Sequence, residues 1–171
     1  MLRTSLSLSA LLGRDLRMIN IRAGRSKPGL AAQHLASVRA AAAVCGASVE
    51  GDLMGSENLQ FRPGQVRGGR WEFEVGTAGA TTLVLQTILP ALLFAPISSH
   101  VQIHGGTNVL WSPSQEYIAA VLLPVIGEMG ARIELECLTP GFYPKGGGCI
   151  EARVKPLERA LRSLQWQERG P

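Results

Sequence analysis

A cluster of positive charge lies early in the chain, where Arg22, Arg25 and Lys27 fall within six residues. The residues before it, 16–22, alternate in polarity as a half-buried strand does, and Pro28 suits the first position of a helix. A strand that leads into a helix N-terminus presents free backbone N–H groups and the positive end of the helix dipole to a ligand. This segment therefore predicts a phosphate- or carboxylate-binding site. The alternative is a solvated basic loop.

Gln33 and His34 follow in the second turn of this predicted helix, where side chains lean back towards the helix N-terminus. Both can hydrogen-bond a nucleotide, although a single helical histidine is more often structural. Gln86 stands in an otherwise apolar predicted helix, and a buried amide without a partner costs about 1–3 kcal/mol. We expect its partner to be either a backbone group of the core or a ligand above the glycine turn 76–79.

Two further glycine-rich segments, 104–108 and 141–148, are predicted to be loops at strand ends. The first approaches a predicted helix start at 112–115 and is the counterpart of the basic loop. The second carries Lys145, which is available to an anion, although its glycines are equally suited to a bulged hairpin. Motifs of zinc proteases, serine hydrolases and Walker-type phosphate loops are missing from the sequence, and the metal, if any, is unknown. Cys45, Cys137 and Cys149 form neither an even set nor a CxxC pair, so we expect reduced, mostly buried thiols.

The composition is that of a globular protein rich in turns. The 171 residues are 46% hydrophobic with a net charge of +4, which argues against disorder. Residues 1–70 carry ten basic and four acidic groups, whereas residues 71–171 carry seven and nine, so the first part is the candidate anion-binding surface. The longest apolar run, 83–95, is shorter than the roughly 20 residues of a membrane helix, and no clear secretory signal is present. We expect a cytoplasmic protein without a membrane partner.

An internal repeat organises the chain. Residues 14–25 resemble 98–107, residues 28–49 resemble 113–133, and residues 59–64 resemble 137–148. Each copy is predicted to contain a helix, a strand, a second helix and a strand hairpin, with Gly13 and Gly46 ending the two helices of the first copy. In the second copy, residues 112–115 form a predicted capping box, and Pro124 is expected to kink the helix that follows. The predicted fold class is α/β, built of α+β repeats.

The repeat also divides the chain. Residues 1–70 are predicted to be a first unit without its leading strand, residues 71–149 a second unit introduced by the strand 71–75, and residues 150–171 the leading strand of a truncated third unit with a tail. We interpret the chain as a fragment; the alternative is a complete two-unit protein with a divergent start. A missing leading strand leaves an exposed sheet edge, through which the chain is expected to self-associate.

Four segments, 21–34, 82–87, 105–108 and 141–148, together resemble the RNA 3′-terminal phosphate cyclase family, and they occur in the family's order. The resemblance covers essentially the whole chain. It implies about two copies of a unit of four strands and two helices, similar to the C-terminal domain of a bacterial translation initiation factor. Family members are ligases of RNA processing that use ATP and a divalent metal, Mg or Mn, to convert an RNA 3′-phosphate to a 2′,3′-cyclic phosphate.

The resemblance also implies roles for individual residues. The residues expected to line the ATP and terminal-phosphate pocket are Arg3, Arg22, Arg25, Gln33 and His34, and those expected to contact the nucleotide are Gln86 and Pro113. In the family a histidine attacks the α-phosphorus of ATP, the adenylyl group passes to the RNA 3′-phosphate, and the neighbouring 2′-hydroxyl closes the ring and expels AMP. Arginine side chains suit the charge that builds on transferring phosphoryl oxygens.

The sequence departs from the family pattern at both ends. The family's nucleophilic histidine belongs to a C-terminal part that this chain does not contain, and the glycine-rich N-terminal turn is missing. We therefore expect no catalytic residue in this chain and no adenylylation of the chain alone. The loop 105–111 also carries Val109, Leu110 and Trp111, which are more apolar than a phosphate channel requires.

Two other functions are compatible with this architecture. One is a non-catalytic relative of the cyclases that binds ribosomal precursor RNA or proteins as a scaffold, but a chain that never binds ATP has no need for both Arg22 and Arg25. The other is a transferase related to enolpyruvyl-shikimate-phosphate synthase, for which no motif is present. The RNA substrate and the oligomeric state are not determined by the sequence.

Overall fold

The computed structural model describes residues 1–166, which form two β-sheets and a shared layer of helices. The helices are α1 (Leu2–Leu12), α2 (Ala32–Cys45), α3 (Thr81–Leu93), α4 (Gln115–Tyr117) and α5 (Leu123–Glu128). The strands are β1 (Leu16–Met18), β2 (Ser48–Glu50), β3 (Leu59–Arg62), β4 (Gly69–Glu74), β5 (Ser99–Gly105), β6 (Arg132–Thr139) and β7 (Gly148–Lys155). The predicted mixed α/β class is confirmed.

The first sheet has the order β1-β3-β2, with both pairs antiparallel. Both long helices of this half end where the sequence predicts, because Gly13 and Gly46 adopt φ values of 62° and 61° in the left-handed region that glycine tolerates best. The N–H of Gly13 bonds the carbonyl of Ser9, and the N–H of Gly46 reaches back to Ala42 and Ala43. These bonds satisfy carbonyls that the helices would otherwise leave free.

The second sheet has the order β4-β5-β7-β6. Strands β4 and β5 are parallel and are joined through α3, whereas β7 is antiparallel to both β5 and β6. The predicted third-unit strand at 150–154 is therefore part of this sheet: Ile150 pairs with Ile103 on one side and with Cys137 on the other. Its apolar side chains face the α3 layer, so this strand is an internal strand of the second sheet.

The junction between β1 and α2 differs from the sequence prediction. Strand β1 ends at Met18, and not at residue 22, because Asn20 and Arg22 adopt φ values of 54° and 56°, which no strand can accommodate. Helix α2 begins at Ala32, and not at Pro28, because Gly29 turns the chain at φ 77°. A side chain at Gly29 would collide with the backbone of Gly55. The intervening residues form a series of turns that holds the basic loop.

The helical segment 115–128 is irregular. Ser114, and not Ser112, is the N-cap, and its side chain accepts a hydrogen bond from the N–H of Tyr117 at 3.2 Å. Pro113 consequently lies before the helix and not in its first turn. Between α4 and α5 the residues Ile118–Leu122 form a π-helical turn, which comes directly before the turn that contains Pro124. Proline cannot supply the N–H of a regular α-helix, so a local change of helical winding at this point is expected.

One hydrophobic core joins the two halves, because α3 packs against both α1 and α2. Its largest fully buried side chains include Phe61, Leu6, Leu85, Ile88 and Ile103. Cys45 and Cys149 are buried and Cys137 is half-buried, as expected for structural thiols. Within residues 1–166, no helix is long and apolar enough to cross a membrane.

Candidate functional site

The basic loop is held by its own backbone. The N–H of Arg25 bonds the carbonyl of Arg22 at 2.9 Å, and the N–H of Gly29 bonds the carbonyl of Ile21 at 2.7 Å. The guanidinium of Arg22 donates to the carbonyl of Gly29 at 2.9 Å, which orients this half-buried side chain. Arg25 and Lys27 are exposed, and the ion pairs found among residues 1–166 include none of these three cations. The loop thus presents uncompensated positive charge to solvent.

His34 lies in the first turn of α2, beside this loop. Its Nδ1 atom accepts a hydrogen bond from the N–H of Ala31 at 3.3 Å, so the neutral ring carries its proton on Nε2. Burial, together with the charges of Arg3, Arg22 and the amino terminus, lowers the pKa of His34 to about 4. At neutral pH the side chain is therefore an uncharged hydrogen-bond donor among cations.

Arg3 adds a fourth cation from the first turn of α1. Its Nε atom is buried and has no hydrogen-bond partner among the described residues, and burial lowers the pKa of its guanidinium. Positive charge in the first turn also opposes the helix dipole. An unpartnered cation in two unfavourable settings is the arrangement expected of a residue that waits for an anionic ligand. This opposition to the dipole is also the sequence signal by which pattern reasoning alone could have identified Arg3.

Gln86 does not have the buried amide that the sequence predicts. It is exposed, because α3 turns this position away from the core and towards a groove of about 320 Å³ between α1 and α3. Arg3 and Pro90 line the same groove. The hydroxyl of Ser7 bonds the carbonyl of Thr87 at 2.6 Å and fixes the two helices against each other. Two of the predicted site residues, Arg3 and Gln86, thus line the same groove.

The glycine turn 76–79 connects this surface to α2. A side chain on Gly79 would come within 3.2 Å of the Cβ atom of Gln33, so the turn lies directly against the N-terminus of α2. The N–H of Gly79 bonds the hydroxyl of Thr77, and the N–H of Gly76 bonds the carboxylate of Glu74, both at 3.1 Å. Because the N–H of Gly76 already donates to a carboxylate, it is not available to a phosphate, and the turn is not an open phosphate-binding loop. It serves to bring α2 and α3 together.

Pro113 lies over the first turn of α3, where its carbonyl accepts a hydrogen bond from Thr82 at 2.8 Å. Thr82 is one helical turn before Gln86, so the loop and the amide share one helix face. The sequence interpretation did not identify this Thr82 contact. On the other side of the glycine turn, Gly146 lies so close that a side chain there would approach the carbonyl of Thr77 to 2.8 Å. The Lys145 loop is therefore next to the turn 76–79.

The other two histidines lie on a different surface. His100 and His104 are on β5, where the Nε2 atom of His100 is 2.9 Å from Glu151 and that of His104 is 3.1 Å from Glu72. Hydrogen bonds from Gln102 and His100 lower the pKa of Glu151 to about 2. A cavity of about 870 Å³ is lined by residues at the amino-terminal ends of β4 and β5 and by α5, and none of the predicted site residues lines it.

Four of the seven predicted residues thus lie at the N-terminal ends of three helices. Arg3 is at the start of α1, Gln33 and His34 are at the start of α2, and Pro113 is at the start of α3. Helix N-termini and unpaired arginines both attract phosphate groups. The arrangement suits the binding of a polyphosphate and a terminal phosphate.

Comparison with known proteins shows the family of this chain. The family model for RNA 3′-terminal phosphate cyclase matches residues 1–166. A Pseudomonas fluorescens protein named RNA 3′-terminal phosphate cyclase is 53% identical over 169 residues, which is 99% of this chain and 49% of the relative. Proteins of the same name from Salmonella enteritidis and Salmonella typhimurium are each 48% identical over 99% of this chain and 50% of their own length. The chain spans about half the length of these curated relatives, and it belongs to the RNA 3′-terminal phosphate cyclase family.

Proposed function

We propose that this chain is the nucleotide- and terminal-phosphate-binding part of an ATP-dependent RNA 3′-phosphate cyclase, a ligase that forms a 2′,3′-cyclic phosphate at RNA ends. The observation that carries the proposal is the cluster of Arg3, Arg22 and His34, in which buried or half-buried donors face one another without a carboxylate. Such a cluster is unfavourable until an anion binds. The name shared by the relatives indicates which anion this is, namely the terminal phosphate of an RNA.

The residues fit ATP. Arg3 and the exposed Gln86 both line the groove between α1 and α3, where their side chains can bond phosphate and base. Bound ATP supplies the adenylyl group that activates the RNA end. Arg22 and Arg25 neutralise the terminal phosphate, and His34 donates from Nε2 without adding charge.

A divalent metal is the second cofactor of the proposal, but the described residues do not fit a preformed metal site. Residues 1–166 contain no group of three or more His, Cys, Asp or Glu side chains that could hold an ion. No residue of this range is therefore assigned to the metal. The cytoplasmic location stays a prediction of the sequence.

We further propose that the isolated chain does not accept AMP. A nucleophilic histidine needs a free ring lone pair near the α-phosphate. In His34 the lone pair of Nδ1 is used by Ala31, and Nε2 carries the proton. His100 and His104 lie on β5 of the second sheet, a strand that carries none of the predicted site residues.

Incubation of the purified chain with ATP labelled at the α-phosphate tests this proposal. We expect no acid-labile label on the protein at any pH between 6 and 9. Covalent label that disappears in a His34→Gln variant would contradict the assignment of His34 as a donor.

Binding measurements test the function itself. We expect the chain to bind an RNA oligonucleotide with a 3′-phosphate more tightly than the same RNA with a 3′-hydroxyl, and to bind ATP. Arg25→Ala removes an exposed guanidinium and should weaken binding of the 3′-phosphate RNA about tenfold, since one charge-assisted hydrogen bond is lost. Arg17→Ala, on the exposed face of β1, is the matched control. Equal affinity for both RNAs and no affinity for ATP would overturn the proposal.

A further inference from the structure

Two loops beside the candidate site expose large aromatic rings to solvent. Trp111 is 98% exposed and Tyr143 is 80% exposed, and the neighbouring Phe142 is 56% exposed. We call Trp111, Phe142 and Tyr143 the aromatic platform. Apolar rings at this level of exposure, grouped on adjacent loops, are typical of an interaction surface.

The platform is held in place by backbone contacts. The N–H groups of Thr107 and Asn108 both donate to the carbonyl of Gly141, at 2.9 and 3.2 Å, and the hydroxyl of Thr107 accepts from the N–H of Gly141 at 3.0 Å. Asn108 also forms a parallel bridge with Phe142. The loop 105–114 and the loop 141–148 are therefore joined at residues 107–108 and 141–142, and both loops carry exposed rings.

Trp111 itself is set by a closed turn. Its φ of 65° is in the left-handed region, which is unfavourable for a bulky residue, and the hydroxyl of Ser112 bonds the carbonyl of Val109 at 2.8 Å to close the turn. This backbone holds the indole outward, where nothing in the described chain covers it. Strain of this kind is most often retained where the exposed side chain has a ligand.

The surroundings of the platform favour a nucleic acid strand. Lys145 is exposed on the same loop as Tyr143, and Gly146 connects that loop to the turn 76–79 and so to the N-terminus of α2. On the other side Glu116 is kept ionised, since a hydrogen bond from Asn108 lowers its pKa to about 2. A polyanion is therefore expected to run along the Lys145 side, towards the basic loop, and away from Glu116.

We infer that the aromatic platform stacks the bases of single-stranded RNA upstream of the 3′-terminal phosphate. The inference rests on the proposed function, because a terminal phosphate in the arginine cluster sets which nucleotides reach these loops. Aromatic side chains stack on every type of base, which gives affinity without sequence preference. The platform thus explains how an end-processing protein could hold RNA of any sequence.

The experiment measures binding of a fluorescent eight-nucleotide RNA with a 3′-phosphate to the full 171-residue chain and its variants. We expect Trp111→Ala and Tyr143→Ala each to weaken binding about tenfold, in line with the loss of one stacked base. Trp111→Phe should recover most of the affinity. Trp166→Ala, which removes another exposed indole, is the matched control and should stay within twofold.

Three further ligands make the result decisive. A nucleoside 3′-phosphate and ATP should bind the Trp111→Ala variant as tightly as the unaltered chain. Equal loss of ATP affinity would assign the ring to ATP and overturn the inference, as would unchanged RNA affinity in both alanine variants or no RNA binding at all. RNA with a 3′-hydroxyl separates the two proposals. Equal affinity of the chain for both RNAs contradicts the terminal-phosphate site. If Trp111→Ala weakens the binding of either RNA, that loss of affinity still supports the platform.

Discussion

Arg3 combines an unsatisfied buried donor with a position at the wrong end of a helix dipole, so its charge weakens the free protein. We predict that Arg3→Met raises the free energy of unfolding by about 1 kcal/mol, the low end of the cost of an unpaired buried donor. The same change should weaken ATP binding about tenfold, because the anion loses its partner. Urea denaturation and equilibrium binding measure the two effects.

Opposite signs for stability and binding are what identify Arg3 as a ligand-binding residue and not a structural one. Arg14→Met is the control, since Arg14 is exposed just beyond α1. It should change neither quantity. A variant at Arg3 that lost stability and kept its ATP affinity would show that the guanidinium supports the fold.

His34 predicts a pH dependence of stability. Its pKa of about 4 in the folded chain is below the ordinary value of 6.5, so between these two values the unfolded chain binds more protons. The free energy of unfolding should therefore fall as the pH is lowered from 6.5 to 4. His34→Gln should flatten this slope, because a glutamine can still accept from the N–H of Ala31 but does not titrate. Urea denaturation at pH 7, 5.5 and 4.5 measures the slope.

The comparison variant for this titration is His104→Gln, which removes an imidazole that Glu72 already engages on the second sheet. The carboxylates of Glu116 and Glu151, with pKa values of about 2, lose their contribution as the pH falls from 4.5 towards 2, a range that overlaps this window only at its acidic end. An unchanged slope in His34→Gln would mean that another group carries the dependence between pH 6.5 and 4.

At the scale of elements, the N-cap of α4 connects stability to the site. Ser114 bonds the N–H of Tyr117, and the loop before it carries Trp111 and Pro113. We predict that Ser114→Ala lowers the free energy of unfolding by about 1 kcal/mol, the usual cost of a lost cap, and that Ser114→Asp retains most of it. Thermal denaturation measures both, with the exposed Ser163→Ala as the control. Equal stability of all three variants would show that the π-helical segment does not depend on its cap.

Sequence reasoning identified elements that local chemistry determines. Gly13 and Gly46 end their helices because the left-handed cap is a property of the glycine itself. The start of α2 could not be placed, since the turn at Gly29 depends on the distant backbone of Gly55. Likewise, 150–154 is an internal strand only because β5 and β6 flank it, a pairing between residues far apart in the chain.

The same division applies to the site. The charges of the basic loop and their nearness to His34 follow from residue types and short spacings. The exposure of Gln86 does not follow from such features, because it depends on how α1 packs beside α3. Apolar neighbours in the sequence suggested burial, but tertiary packing decides which face of a helix meets solvent.

For the whole molecule, the edge of the first sheet is the feature with the clearest consequence. Within residues 1–166, β1 pairs only with β3, whereas β5 is paired on both sides, with β4 and β7. Free backbone groups along a strand edge are a template for pairing with another chain. Self-association therefore stays a prediction of the sequence, and the structure indicates the β1 edge as the strand edge to test.

Ile19, which is 60% exposed directly after β1, offers the test. We predict that the unaltered chain sediments faster as its concentration rises, and that Ile19→Lys reduces this dependence, because a lysine at a strand edge must be desolvated when a second chain pairs there. Phe94→Lys places the same charge on an exposed apolar position at the end of α3, away from the sheet edge, and should leave association unchanged. If Phe94→Lys abolishes association and Ile19→Lys does not, the contact between copies is made by the helical layer, and the β1 edge is not the interface.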